Sequence, residues 1–126
     1  MSYLTLLQVA AGGAIGASLR YLTGTATLRA FGTGFPWGTI TVNIIGSFLM
    51  GVLVVVMAHK GGTRLAPFLM TGVLGGFTTF SAFSLDVMTL YERGQYGLAA
   101  AYGSASVVLS LLAIMLGLYV TRGIWA

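Results

Sequence analysis

Two stripes of polar side chains run through otherwise apolar sequence. Thr39, Asn43 and Ser47 fall at i, i+4 and i+8, and Tyr102, Ser106 and Ser110 repeat that spacing, so each set lies on one face of a helix. Between them the chain reads GGFTTFSAFS over residues 75–84, where Thr79 and Ser81 bring hydroxyls and Phe80 and Phe83 stand three residues apart. Hydroxyl and amide hydrogens solvate an anion, and the edge of an aromatic ring carries positive partial charge. Each feature also has a purely architectural reading: a lone Ser or Thr bonds to nearby backbone, and a membrane phenylalanine packs. Asn43 is less easily absorbed, because its amide brings two donor hydrogens and an acceptor that all need partners. Taken together, these residues form a candidate track for a small anion.

What the track lacks narrows its chemistry. No Asp, Glu, Lys, Arg or His falls at the middle of an apolar stretch, and Asp86 lies toward the end of its own. A cation or proton path usually needs a carboxylate within the membrane. The single histidine, His59, stands beside Lys60, and the chain has no cysteine, so neither a nucleophile–base pair nor a thiolate metal site is in view. The chain is not expected to be an enzyme. Arg20, at the end of the first apolar stretch, either snorkels to lipid headgroups or raises the anion concentration in a vestibule.

These side chains need a scaffold, and composition says which kind. Of 126 residues, 57% are hydrophobic and only 6% are charged, against about a quarter charged in soluble domains. Apolar stretches run over residues 3–22, 38–58, 65–90 and 97–121, each long enough at ~1.5 Å per residue to cross a hydrocarbon core of ~30 Å. The expected fold is therefore an all-α integral membrane protein, a single four-helix transmembrane domain over residues 1–126. The first stretch lacks the basic start of a signal peptide and reads as a retained helix. The net charge of +4 lies in short loops, where it bears on topology and not on nucleic acid.

Within the third stretch, Gly75-Gly76 followed by Thr78-Thr79 favours a break near mid-membrane. Non-helical backbone survives at that depth only when buried in protein or lining a cavity. Its freed carbonyls suit a small hard cation. Lys60, Arg64 and Arg122 fall on one side of four spans, and Arg20, Arg29 and Arg93 on the other, so the positive-inside rule gives a tie. Either another determinant fixes one orientation, or the chain inserts both ways and pairs as an antiparallel dimer. The pairs Gly12/Gly16 and Gly72/Gly76 permit close helix contact, within one chain or between two.

GGAIGASLRY, GTITVNIIGSFLMG and GVLGGFTTFSAFS, in that order, resemble the Fluc (CrcB) family of bacterial fluoride channels, with a weaker match through Tyr102, Ser106 and Ser110. The resemblance implies a dual-topology homodimer in the lipid of the bacterial inner membrane, with two fluoride pores and a central sodium ion that is not transported. Backbone carbonyls of Gly75 and Thr78 would hold the sodium. Phe80 and Phe83 would line the pore and Asn43 would reach toward them. Thr39, Thr79, Ser81, Tyr102, Ser106 and Ser110 would follow the polar track, and Arg20 would stand in the vestibule. Asp86 departs from the Glu that the family often carries there. Family physiology would be export of fluoride that entered as neutral HF. Two rivals are a small dual-topology drug/proton antiporter, whose first span commonly carries a carboxylate, and a non-transporting structural subunit; residues 3–22 hold no carboxylate.

Overall fold

A computed structural model of the chain describes residues 2–124, and among them there is no strand. Ser2 caps the first helix, α1 (Tyr3–Phe31), by accepting from the Thr5 N–H at 3.1 Å. α1 continues past the expected end at Leu22. Thr23, Thr25 and Thr27 turn their hydroxyls back onto the carbonyls of Leu19, Tyr21 and Thr23, so this threonine-rich segment satisfies itself as helix. Arg20 accordingly lies inside α1 and not at its end, a correction to the expectation above.

The second helix, α2 (Trp37–Lys60), stops at Gly61, whose φ of 78° lies in the left-handed region that a Cβ disfavours. The third span is composite. A 3₁₀ turn (Thr63–Leu65) leads into a π-helical stretch (Pro67–Leu74), which continues as a short α-helical turn, α3 (Gly75–Phe77). The backbone then opens at Thr78 and Thr79, with ψ of 158° and 121°, and resumes as α4 (Phe80–Glu92). The last helix is α5 (Tyr96–Ile124). The expected break is present, but the two glycines before it stay helical and the two threonines unwind. α2, the composite span and α5 are each long and apolar enough to cross a membrane; α1 matches them with 29 residues and is more polar.

Packing explains the glycines. α1 lies against the π-helical stretch and α3, and α2 against α5. A Cβ on Gly72 would stand 2.8 Å from the Gly12 Cα, and one on Gly76 would stand 2.8 Å from the Gly13 carbonyl oxygen. Gly16 is pressed as closely onto Val73 and Phe77. The GxxxG pairs therefore face each other within the chain, where close backbone approach replaces the hydrophobic drive that lipid does not supply. A small core of Ile40, Leu90, Ala99 and Tyr102 joins α2, α4 and α5. Elsewhere large apolar side chains such as Leu7, Leu85, Leu111 and Leu116 are exposed, as a lipid-facing or partner-facing surface requires.

Candidate anion path and the break beside it

The opening at Thr78 and Thr79 exposes backbone groups that a continuous helix would pair. Leu74 O accepts from both the Thr78 N–H at 3.0 Å and the Thr78 hydroxyl at 2.9 Å, which closes the α3 end. Thr79 starts α4: its hydroxyl oxygen accepts from the Ala82 N–H at 3.1 Å and lies 3.4 Å from the Ser81 hydroxyl. Asn43 of α2 bridges the gap with both ends of its amide. Its Oδ1 accepts from the Thr79 N–H at 2.8 Å, and its Nδ2 donates to the Thr79 carbonyl at 3.0 Å. From the other side, Arg20 Nε donates to the Gly76 carbonyl at 3.0 Å.

Of the carbonyls along the opening, side chains hold those of Gly76 and Thr79, while Gly75, Phe77 and Thr78 have no side-chain donor among the described residues; Gly75 is exposed, Phe77 buried and Thr78 half-buried. Nor do the described residues contain any cluster of three His, Cys, Asp or Glu side chains fit for a metal. Neutral carbonyls are the donors that a monovalent cation takes from unwound backbone, and exposed Gly75 and extended Thr78 offer two. The oxygens thus fit sodium in kind, but two from one chain are too few to replace a hydration shell.

On one side of the break lies a groove of about 320 Å³ between α2, α4 and α5. Asn43 and Ser47 from α2, Phe80 and Phe83 from α4, and Ser106 and Ser110 from α5 all line it. No carboxylate does. The Phe80 and Phe83 rings stand 5.6 Å apart at 47°, and Phe83 meets Tyr102 at 5.5 Å. Phe80 is 76% exposed, whereas Phe83 is partly buried. The Ser106 hydroxyl is buried beside the Tyr102 hydroxyl without a well-formed hydrogen bond to it. A buried hydroxyl so loosely held keeps hydrogen-bonding capacity for a ligand.

On the other side lies a wider cavity of about 660 Å³, lined by Arg20, Thr39, Ala82 and Asp86 among others. Thr79 borders both spaces. The α2 stripe is therefore divided. Ser47 faces the groove, Thr39 faces the Arg20 cavity, and Asn43 stands at the seam. Tyr102 lines neither space; it is fully buried and donates its hydroxyl to Asp86 Oδ2 at 3.0 Å. Ser81 is exposed and does not line the groove. Sequence reasoning did not foresee the Tyr102–Asp86 bond or the Arg20–Gly76 bond. Their only signal was a lone phenol and a lone guanidinium in apolar surroundings, each of which needs a buried partner.

The chain is similar to proteins of one family along nearly its whole length. A family model described as "CrcB-like protein, Camphor Resistance (CrcB)" matches residues 7–118. A protein of Cereibacter sphaeroides named "Fluoride-specific ion channel FluC" is 69% identical over 119 residues, covering 94% of this chain and 95% of its own. Proteins of the same name from a Ruegeria species and from Agrobacterium fabrum are 62% and 50% identical. These two cover 96% and 97% of this chain, and 97% and 99% of their own.

Proposed function

The chain belongs to the CrcB family, and from that premise we propose that it is a passive fluoride channel of the bacterial inner membrane, assembled as an antiparallel homodimer with two pores. The observation that carries the reading is the groove: hydroxyls from two helices, one amide and two aromatic rings converge there without a carboxylate. Fluoride is small and tightly hydrated, so a pore must replace its water with hydrogens at short range. Ser47, Ser106 and Ser110 supply hydroxyls, Asn43 retains one Nδ2 hydrogen beyond its bond to Thr79, and Phe80 and Phe83 supply ring edges. A larger halide meets the same donors at greater distance and gains less from each. The wide cavity serves as a vestibule in which Arg20 supplies the anion-attracting charge and Asp86, engaged by the Tyr102 hydroxyl, lies on the same wall.

Two features support a dimer. With Arg20 deeper inside α1, the cations at helix ends and turns number Lys60, Arg64 and Arg122 on one side against Arg29 and Arg93 on the other, a near balance that suits insertion in both orientations. In addition, the exposed Gly75 carbonyl and its Thr78 neighbour need further oxygens, and a second copy in the opposite sense doubles them. Sodium held there is structural and tightens the pair of breaks.

A passive channel moves charge alone. Vesicles containing reconstituted protein, loaded with potassium fluoride at equal pH on both sides, should release fluoride only after valinomycin lets potassium follow. Release driven instead by an imposed pH gradient, without an ionophore, would point to proton exchange and remove the channel reading.

A further inference from the structure

The face of α1 that docks on the third span carries Gly12, Gly16 and Arg20 at i, i+4 and i+8. Gly12 rests on Phe68 and Gly72, and Gly16 on Val73 and Phe77. One turn later Arg20 continues the same face and delivers Nε to the Gly76 carbonyl at 3.0 Å. That contact is charge-assisted and partly buried, the stronger class of hydrogen bond. Since the inner nitrogen of the guanidinium makes it, the terminal amino groups remain available to the cavity that Arg20 also lines.

We infer that Arg20 is a positioning residue for the break, which it holds through the Gly76 carbonyl, and not solely a vestibule charge. Asn43 takes the Thr79 carbonyl from the opposite side. Together the two side chains occupy the Gly76 and Thr79 carbonyls and leave those of exposed Gly75 and half-buried Thr78 for an ion. A guanidinium against the Gly76 oxygen also repels any second cation from that atom. The bound ion is thereby confined to Gly75 and Thr78; this last step rests on the sodium reading above, whereas the hold on the break does not. Lysine is no substitute. Its ammonium sits at the tip of a flexible stem and has no counterpart of Nε at that point on the chain.

Two measurements on the full-length protein in detergent test this, using native protein, Arg20→Lys and Arg20→Met. The first is amide hydrogen exchange over residues 75–81. The second is the sodium concentration giving half of the thermal stabilisation, titrated against potassium at constant ionic strength. Both variants should exchange at least ~10-fold faster over this segment and need at least ~10-fold more sodium, although Arg20→Lys keeps the positive charge. Native exchange and a native sodium midpoint in Arg20→Lys would overturn the inference, since charge alone would then suffice. If native protein itself shows no sodium-specific stabilisation, the sodium reading fails, and the exchange comparison still decides the role of Arg20.

Discussion

The Asn43 side chain and the Thr79 backbone form a closed two-bond bridge, Nδ2 to carbonyl at 3.0 Å and N–H to Oδ1 at 2.8 Å, across the point where the third span unwinds. A side-chain amide meets both needs at once, since Thr79 presents a donor and an acceptor side by side. Asn43→Asp keeps the acceptor, loses the donor and places a negative charge in the wall of the groove. At an effective dielectric of about 20, a unit charge about 4 Å from a passing anion costs about 4 kcal/mol. Fluoride efflux from vesicles should fall at least ~100-fold, with the oligomer still intact by size-exclusion chromatography. Native efflux would separate Asn43 from the anion path.

Phe80 and Phe83 face the same groove with different support. Phe83 packs on Tyr102, whereas Phe80 is 76% exposed in the single chain. Phe83→Ala should lower stability by about 1–3 kcal/mol, and Phe80→Ala by less than ~1 kcal/mol. Both should nevertheless abolish fluoride efflux. Thermal melting and efflux measured together separate the two effects; undiminished flux in either variant would return that ring to a packing role.

Ser106 offers the reverse combination. Its buried hydroxyl makes no well-formed hydrogen bond among the described residues. Removing an unsatisfied polar group is neutral or stabilising by up to ~1 kcal/mol, while a lost hydrogen bond to a charged species is worth about 1.5–3 kcal/mol. Ser106→Ala should therefore melt at or above the native temperature and conduct roughly ten- to a hundredfold more slowly. A less stable variant with native flux would contradict this assignment.

The glycine interface makes a purely structural prediction. Gly72→Ala drives a methyl group into the Gly12 backbone, and overpacking of this kind costs about 1–3 kcal/mol or more. A methyl on Gly13 meets nothing within 4 Å, and alanine is the better helix former by about 1 kcal/mol. Folded yield in detergent should fall for Gly72→Ala and hold for Gly13→Ala. Equal yields would mean that α1 does not ride on the third span this closely.

Much of this site was readable from residue types because lipid penalises unpaired polar groups, and so each conspicuous polar residue had to mark something. The stripes, the break and the absence of a mid-span carboxylate all follow from that rule. What escaped were cases in which the backbone supplied the partner. The first apolar stretch ends at Leu22, yet the hydroxyls of Thr23, Thr25 and Thr27 bond the preceding turn and α1 continues to Phe31. Gly75-Gly76 and Thr78-Thr79 together read as the break, yet Gly76 is used for contact with α1 and the opening falls on the threonines alone. Thr39 shares a face with Asn43 but opens onto the Arg20 cavity, because the Asn43–Thr79 bridge partitions the space between them. The π-helical register of Pro67–Leu74 had no local sequence signal.

Selective conduction through the groove is read from halide release by one vesicle population. Vesicles holding the native protein, loaded with potassium fluoride and potassium chloride together, would be read by two ion-specific electrodes after valinomycin is added. Fluoride should empty while chloride stays until detergent breaks the membrane. Release of both halides side by side would contradict the account.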